Sequence, residues 1–363
     1  MKKSLIALAV LASSGVAMAQ SSVSVYGLLD VWVGSQKNTT NGVTAGSFGK
    51  MASNEGLATS RLGFKGTEDL GGGLKANFQI ETTVGLDQPA ATSLGDRQSW
   101  VGLSGGFGEV QLGRVWTPYD NTRFLINDTF TANFSSSFSV WRGYTDRTTN
   151  GLQYTTPSFG GLTASALYTF GEDKTATTSA SSITAFSLNY ANGPIAAGLA
   201  HQIQQDKNAG AAATVVTDAS NTPFNGPALS QLISGTAQSV SKTSYTLING
   251  SYDFGVAKVL AGYNTVKATS TAVAGNAKAN EWNIGAEVPF GSALTLGVGY
   301  AESQVKVNGV DRNETTGYSA VLKYALSKRT AVYAGLAKAE EETAAGVSVE
   351  KSNRYFVGLN HTF

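Results

Sequence analysis

A chain of 363 residues with 26 basic and 25 acidic side chains has a formal charge of +1, so overall charge gives no support to a nucleic-acid partner. Without cysteine there is no disulfide to staple an exported domain and no thiolate to ligate a metal. The 42 glycines, seven prolines and 10% aromatic content favour short strands and tight turns over helices, and a mean hydropathy of −0.07 does not argue against a membrane protein, because lipid-facing and water-facing residues alternate along membrane strands.

In chain order, Lys2 and Lys3 precede an apolar run from Leu5 to Ala12, and Ala17-Met18-Ala19 supplies a small-x-small cleavage site. Residues 1–19 therefore read as a cleaved secretory signal peptide, leaving one domain over 20–363 with a formal charge near −1 once the two lysines are removed. The apolar run is too short to span a bilayer as a helix, and no later segment approaches about 18 uninterrupted apolar residues. The chain continues instead as a series of extended segments of roughly 9 to 15 residues, the length a tilted membrane strand needs. The first runs from Val23 to Ser35.

Connections between the segments alternate between short and long. Seven tight turns, rich in residues that accept turn dihedrals, are placed at 69–73, 105–108, 158–161, 191–194, 253–255, 289–293 and 326–329. Eight longer polar connections are placed at about 36–56, 87–95, 117–147, 172–180, 206–239, 268–278, 306–312 and 340–351. Fifteen connections join sixteen strands, with both termini on the short-turn side, as a bacterial outer-membrane barrel requires.

Alternation supports the strands individually. Leu74, Ala76, Phe78 and Ile80 face one way and Lys75, Asn77, Gln79 and Glu81 the other, while Ala320, Leu322, Tyr324 and Leu326 share a face. The last strand alternates to the final residue, with Tyr355, Val357, Leu359, His361 and Phe363 opposite Phe356, Gly358, Asn360 and Thr362. Because an unpaired N–H or C=O in hydrocarbon costs several kcal/mol, such a sheet must close, and the first strand must pair with the last. A soluble β-sandwich or a β-helical adhesin is the competing reading, although no repeat of 20 to 50 residues is visible.

Several segments carry a family likeness: SVSVYGLLD (22–30), SRLGFKGTEDLGGGLKANFQIE (60–81), DRQSWVGLSGGFGEVQLGR (96–114), GLQYTTPSFGGL (151–162) and NRYFVGLNHTF (353–363). Together they make the chain resemble the general diffusion porins of Gram-negative bacteria, of the Burkholderia, Comamonas and Neisseria type. The resemblance implies an all-β, sixteen-stranded transmembrane antiparallel barrel with an inward-folded third loop. It further implies a homotrimer in outer-membrane lipid and lipopolysaccharide that passes ions and small hydrophilic solutes without a cofactor. In that family Phe363 belongs to the signal read by the outer-membrane assembly machinery.

Arg61 and Lys65 share a face with Gly63, opposite Leu62 and Phe64, which puts both cations in the lumen, since a charge on the lipid side near the midplane costs about 2–4 kcal/mol. By resemblance Arg61, Arg97 and Arg147 correspond to basic residues lining the constriction, whereas Leu28 and Gln153 stand where some relatives carry a lysine and an arginine. The third long connection holds Phe124, Leu125, Ile126, Phe130, Phe134, Phe138, Val140 and Trp141, too apolar for a loop in water, so it is expected to tuck inside, with Asp120 and Asp128 as the acidic side of the eyelet.

Catalysis has little to stand on. His201 and His361 are the only histidines, and no His/Asp/Glu cluster has metal-ligand spacing. A passive channel is the first reading, ahead of a substrate-selective porin, a barrel enzyme or a surface adhesin.

Overall fold

The structure, a computed structural model, describes residues 22–44, 46–53, 56–88, 93–126, 135–177, 179–206, 241–270 and 275–363. The expected leader at 1–19 and nearly all of the connection expected at 206–239 lie outside these residues. The strands are β1 (Ser22–Thr40), β2 (Val43–Thr44), β3 (Phe48–Ala52), β4 (Arg61–Gly71), β5 (Leu74–Thr83), β6 (Gln98–Gly105), β7 (Gly108–Trp116), β8 (Arg147–Thr155) and β9 (Leu162–Thr169). They continue as β10 (Ser182–Asn192), β11 (Ile195–Asp206), β12 (Ser241–Asp253), β13 (Lys258–Ser270), β14 (Gly275–Phe290), β15 (Leu294–Val307), β16 (Val310–Ala325), β17 (Thr330–Thr343) and β18 (Ser348–Thr362).

From β4 onward each strand pairs antiparallel with the next, and β1 pairs with β4 on one side and β18 on the other, closing a barrel of sixteen strands among the described residues. The seam runs in register from Leu28↔Thr362 to Thr40↔Glu350. At its lower end Gly27 and Phe363 exchange both backbone hydrogen bonds, each 3.1 Å, so no open edge is left to hydrocarbon there.

The two faces sort as the alternation requires. On β18 Tyr355, Val357 and Leu359 are exposed while Phe356, Arg354 and Ser352 are buried; on β16 Leu322 and Tyr324 are exposed while Ser319 and Val321 are buried. The exposed apolar residues form the outer, lipid-facing surface, and the buried row faces the lumen.

All seven expected tight turns join the strand pairs β4–β5, β6–β7, β8–β9, β10–β11, β12–β13, β14–β15 and β16–β17. At the opposite end the strands overrun their expected limits. Between β15 and β16 only residues 308–309 remain as a turn, between β17 and β18 only 344–347, and β1 extends for 19 residues. Charged residues read as loop are instead paired across these extensions, as in Lys306–Asp311 at 3.0 Å and Lys351–Glu340 at 3.0 Å. Polarity marks where the membrane ends; the backbone ladder needs no hydrocarbon to continue.

The first long connection also contains structure: β3 pairs with Trp32–Gln36 of β1, directly above the stretch of β1 that pairs with β4. The chain between β3 and β4 leaves the sheet and turns over the lumen face of β1.

The aromatic ring of Phe363 occupies the space that a side chain on Gly27 would fill. Deleting Phe363 removes that ring and two seam hydrogen bonds, and Gly27→Val with Phe363 retained displaces the ring. Both changes should reduce the heat-modifiable folded species in outer-membrane fractions on gels; equal yields of folded barrel would show that this contact does not matter to closure.

Candidate functional site

Residues 117–146 form the third long loop. Thr117 N donates to Asp146 O at 2.8 Å and closes its neck. Helix α1 (Pro118–Arg123) starts there because the Thr117 hydroxyl accepts from Asp120 N and Pro118 supplies a preset first helical residue. A second short helix, α2 (Ser136–Val140), precedes Trp141.

This loop lies against the inner wall. Asn249 Nδ2 donates to Thr122 O at 2.7 Å, Gln202 Nε2 to Thr145 O at 2.9 Å and Tyr245 OH to Gly143 O at 2.9 Å. Tyr119, Val140 and Trp141 pack on a lumen surface made of small and apolar residues, among them Ala200, Leu247, Leu260, Ala279 and Ala301. Gly198 and Gly317 admit this approach: a Cβ on either would press on Thr122 or Val140. Val140 and Trp141 thus tuck inward as expected. Phe124 stays 47% exposed and meets Trp116 edge-on at 6.1 Å, and Phe130, Phe134 and Asp128 lie outside the described residues.

The strongest anchor was not legible in the sequence. Arg142, fully buried, donates from its backbone N to Glu281 Oε1 at 2.6 Å and from its guanidinium to Glu341 Oε1 at 3.2 Å and Thr315 Oγ1 at 3.0 Å. Asn264 and Ser303 also donate to Glu281. Arg123 adds a second buried cation, stacked 4.8 Å from the Tyr144 ring and 5.3 Å from Trp141, with a 3.0 Å bond to Ser137 O.

Asp120 does not border open water. It is a buried residue in the first turn of α1, accepts from Tyr144 OH, and lies among Arg123, Arg147 and Asp146. Burial, reinforced by the Asp146 carboxylate, raises it from an ordinary 3.8 to about 8, against the lowering effect of the Tyr144 hydrogen bond and the two arginines. Burial thus favours its uncharged form, and its contacts secure the loop and do not face the pore. Its place at the base of a capped helix put it under the loop, which spacing alone did not disclose.

A second inward segment covers another part of the wall. Asp30 accepts from Tyr333 OH at 2.7 Å, from Asn360 Nδ2 at 2.7 Å and from the backbone of Leu57 and Ala58. Leu57 packs there with Trp32, Tyr333 and Phe356.

Among the described residues the short helices of the third loop lie against β9 to β17, and the three expected arginines converge on the stretch from β4 to β8. Arg97 Nε donates to Glu81 Oε1 at 2.7 Å, and Arg61 Nε stands 3.7 Å from Glu81 Oε2 with its side chain 30% exposed. Trp116 is flanked by Arg97 at 5.5 Å and Arg147 at 4.6 Å from its ring, and Arg147 pairs with Asp146 at 3.2 Å. The acid that meets the arginines is Glu81, which alternation had already placed on the water face. Lys65 is not in this cluster; it lies lower on β4, 5.3 Å from the Tyr26 ring. Leu28 pairs with Arg61 on the lumen face, and Gln153 is buried.

His201 Nδ1 bonds Thr246 at 2.9 Å and His361 Nδ1 bonds Thr330 at 2.9 Å, both on the outer face. Among the described residues no group of three His, Asp or Glu side chains has metal-binding geometry.

A sequence profile described as Gram-negative porin matches residues 4–344. The chain belongs to the Gram-negative porin family. It is 34% identical over 373 aligned positions to outer membrane porin protein 32 of Delftia acidovorans, covering 99% of this chain and 95% of that one. It is 36% identical over 172 residues to major outer membrane protein P.IB of Neisseria gonorrhoeae, covering 46% and 48% of the two chains. Among solved structures it is similar to the anion-selective porin from Comamonas acidovorans, with a TM-score of 0.74, 27% identity, and 95% and 100% of the chains covered. The porin is an outer-membrane channel through which ions and small hydrophilic solutes diffuse passively.

The anchoring of the porin's third loop is open to two tests. Arg142→Met leaves the Glu341 carboxylate without its buried cation, and should destabilise the docked loop by about 3–5 kcal/mol, read as a lower unfolding midpoint and a noisier open current. The second concerns pH. Asp120 keeps its proton in the folded loop up to about pH 8 while the unfolded carboxyl loses it near 3.8, so docking weakens as pH rises across that window and levels off above it. Current noise should grow between about pH 4 and pH 8 in the parent porin, level off above that, and stay flat in Asp120→Asn.

Proposed function

We propose that the porin is a general diffusion channel with a modest preference for anions, set by the cluster of Arg61, Arg97 and Arg147, in which the partly exposed Arg61 meets the water path and the buried Arg97 and Arg147 add their charge from behind it. The observation that carries this reading is the convergence of those three arginines on Glu81 and Trp116. Counting Glu81 and Asp146 against them leaves one net positive charge on this cluster, while burial favours the uncharged form of Asp120. Lys65 adds a cation lower in the lumen. The Comamonas acidovorans relative's description as anion-selective agrees with this sign.

Trp116 holds two guanidinium planes against the wall, so their charge does not swing into the path, and Arg61 is the most exposed of the three. With the chain as a whole nearly neutral, the few charges within a Debye length of about 10 Å at 0.1 M salt decide which ion enters. We further propose that the porin works as a homotrimer embedded in outer-membrane lipid and lipopolysaccharide, with Phe363 read by the assembly machinery. The wide apolar outer face and the seam position of Phe363 support this assembly.

Replacing Arg61 and Arg97 together with glutamine should shift the zero-current potential in a KCl gradient toward cation preference. The shift should shrink as salt is raised. An unmoved potential at low salt, with folded oligomer content intact, would remove these arginines from the selectivity region.

A further inference from the structure

Below the basic wall the same strands bring together a second set of lumen-facing groups, and the strand register arranges them in rows. Ser24 pairs with Lys65, Lys65 with Gln79 and Gln79 with Trp100, so four strands present these side chains in one cross-strand row. In the next row toward the short turns Thr67 pairs with Asn77, and Asn77 with Gly102. In the row after that Lys75 pairs with Ser104, Ser104 with Glu109 and Glu109 with Thr155. Together they line a cavity of about 650 Å³, within the range of roughly 300–1,000 Å³ typical of small-molecule sites.

Trp100 gives this cavity its character. An indole in an aqueous channel wall is costly to leave wet without a purpose. One side of the ring packs on Val115 and Leu167, its Nε1 donates to Gln98 at 3.3 Å, and Gly102 beneath it carries no side chain, so the ring lies 3.4 Å from where a Cβ on Gly102 would stand. The remaining ring surface borders the cavity. Lys65 lies in the same row as Trp100, and Lys75 lies two rows lower, about 13 Å further at roughly 3.4 Å of strand per residue. Glu109, held by Gln111 Nε2 at 3.1 Å, offers a carboxylate; Asn77 accepts from Thr67 at 3.0 Å and donates to Ser104 at 2.8 Å, and Gln79 donates to Tyr26 at 2.6 Å, so these side chains stand fixed between the two lysines and each keeps further hydrogen-bonding capacity for a solute.

We propose that this cavity is a transit-binding site for monosaccharides that carry an acidic group, phosphate or carboxylate. The C–H face of a pyranose ring fits a fixed indole face, its hydroxyls fit the amide, hydroxyl and carboxylate groups around the rim, and the acidic substituent fits Lys65 or Lys75. Two lysines against Glu109 leave a net positive charge, which favours the anionic sugar over its neutral parent. An inorganic anion satisfies the lysines and leaves Trp100 unused; a neutral sugar does the reverse. The site needs an open, water-filled channel and is independent of the anion preference assigned to the arginine wall above it.

The test is interruption of single-channel current through the reconstituted full-length porin by glucose 6-phosphate and by glucuronate, with glucose and inorganic phosphate as comparisons. Both acidic sugars should block at concentrations about tenfold below either comparison, and Trp100→Leu should raise the half-blocking concentration roughly fivefold, the scale of one lost ring contact. Lys75→Gln should weaken block by both acidic sugars, and it decides the matter if Trp100→Leu does not fold. Open-channel conductance in the same traces tells a closed or unfolded barrel from an open one that does not bind. Block by inorganic phosphate or by glucose equal to that by the acidic sugars would overturn the proposal, as would unchanged block in both variants.

Discussion

The structure depends on one constraint: a sheet that crosses hydrocarbon must leave no backbone donor or acceptor without a partner. Every strand therefore needs two neighbours, and β1 obtains its second from β18, more than 300 residues away, through a register that ends in the Gly27–Phe363 exchange. Closure also fixes the meaning of side-chain parity, because one side of every strand then faces lipid and the other faces the lumen. Where strands rise beyond the bilayer the ladder continues on charged residues, since pairing is favourable in water as well and only the side-chain requirement has lapsed.

Closure alone leaves a wide lumen, and the inner wall is chemically uneven. The side formed by β11 to β17 carries alanine, leucine and valine where water would otherwise stand, and the third loop covers it. Burial of that surface drives docking, while the Arg142 contacts with Glu281 and Glu341 set its position, because carboxylates enclosed there need a cation and donors at defined places. The turn held by Asp30 covers the wall near β1 and β18. Among the described residues the loop helices thus lie on β9 to β17, and the arginines stand on β4 to β8.

On that wall charge is held and not merely present. Glu81 fixes Arg97, and Trp116 stacks with Arg97 and Arg147 against the barrel, so the charges of this cluster are held in place. Further down, groups of the same strands turn from guanidinium and carboxylate to lysine, amide, hydroxyl and indole. In the proposed reading, a region that sorts ions by sign is followed by one whose chemistry suits shape and hydroxyl content.

Much of this was legible in the chain. Period-two alternation gave the strands, turn-forming Gly, Pro, Asn, Asp and Ser located all seven tight turns, and the aromatic third connection announced a loop that would not remain in solvent. The water-facing parity of Arg61, Lys65 and Glu81 comes from the same count. Strand ends were misjudged on the loop side because composition reports where lipid stops, and Lys306, Glu340 and Lys351 continue the ladder beyond it. Asp120 had the right residue type for a pore-lining acid and the wrong surroundings, since its burial against Tyr144 depends on how α1 docks. Arg142, Glu281 and Glu341 looked like unrelated polar residues because their partnership spans 139 and 199 positions. The sequence by itself determined the barrel, its strand count and which residues face water, because alternation and turn chemistry are local. Only the tertiary structure decided which water-facing residues meet and which are sealed under the loop, because those outcomes depend on closure bringing distant strands together.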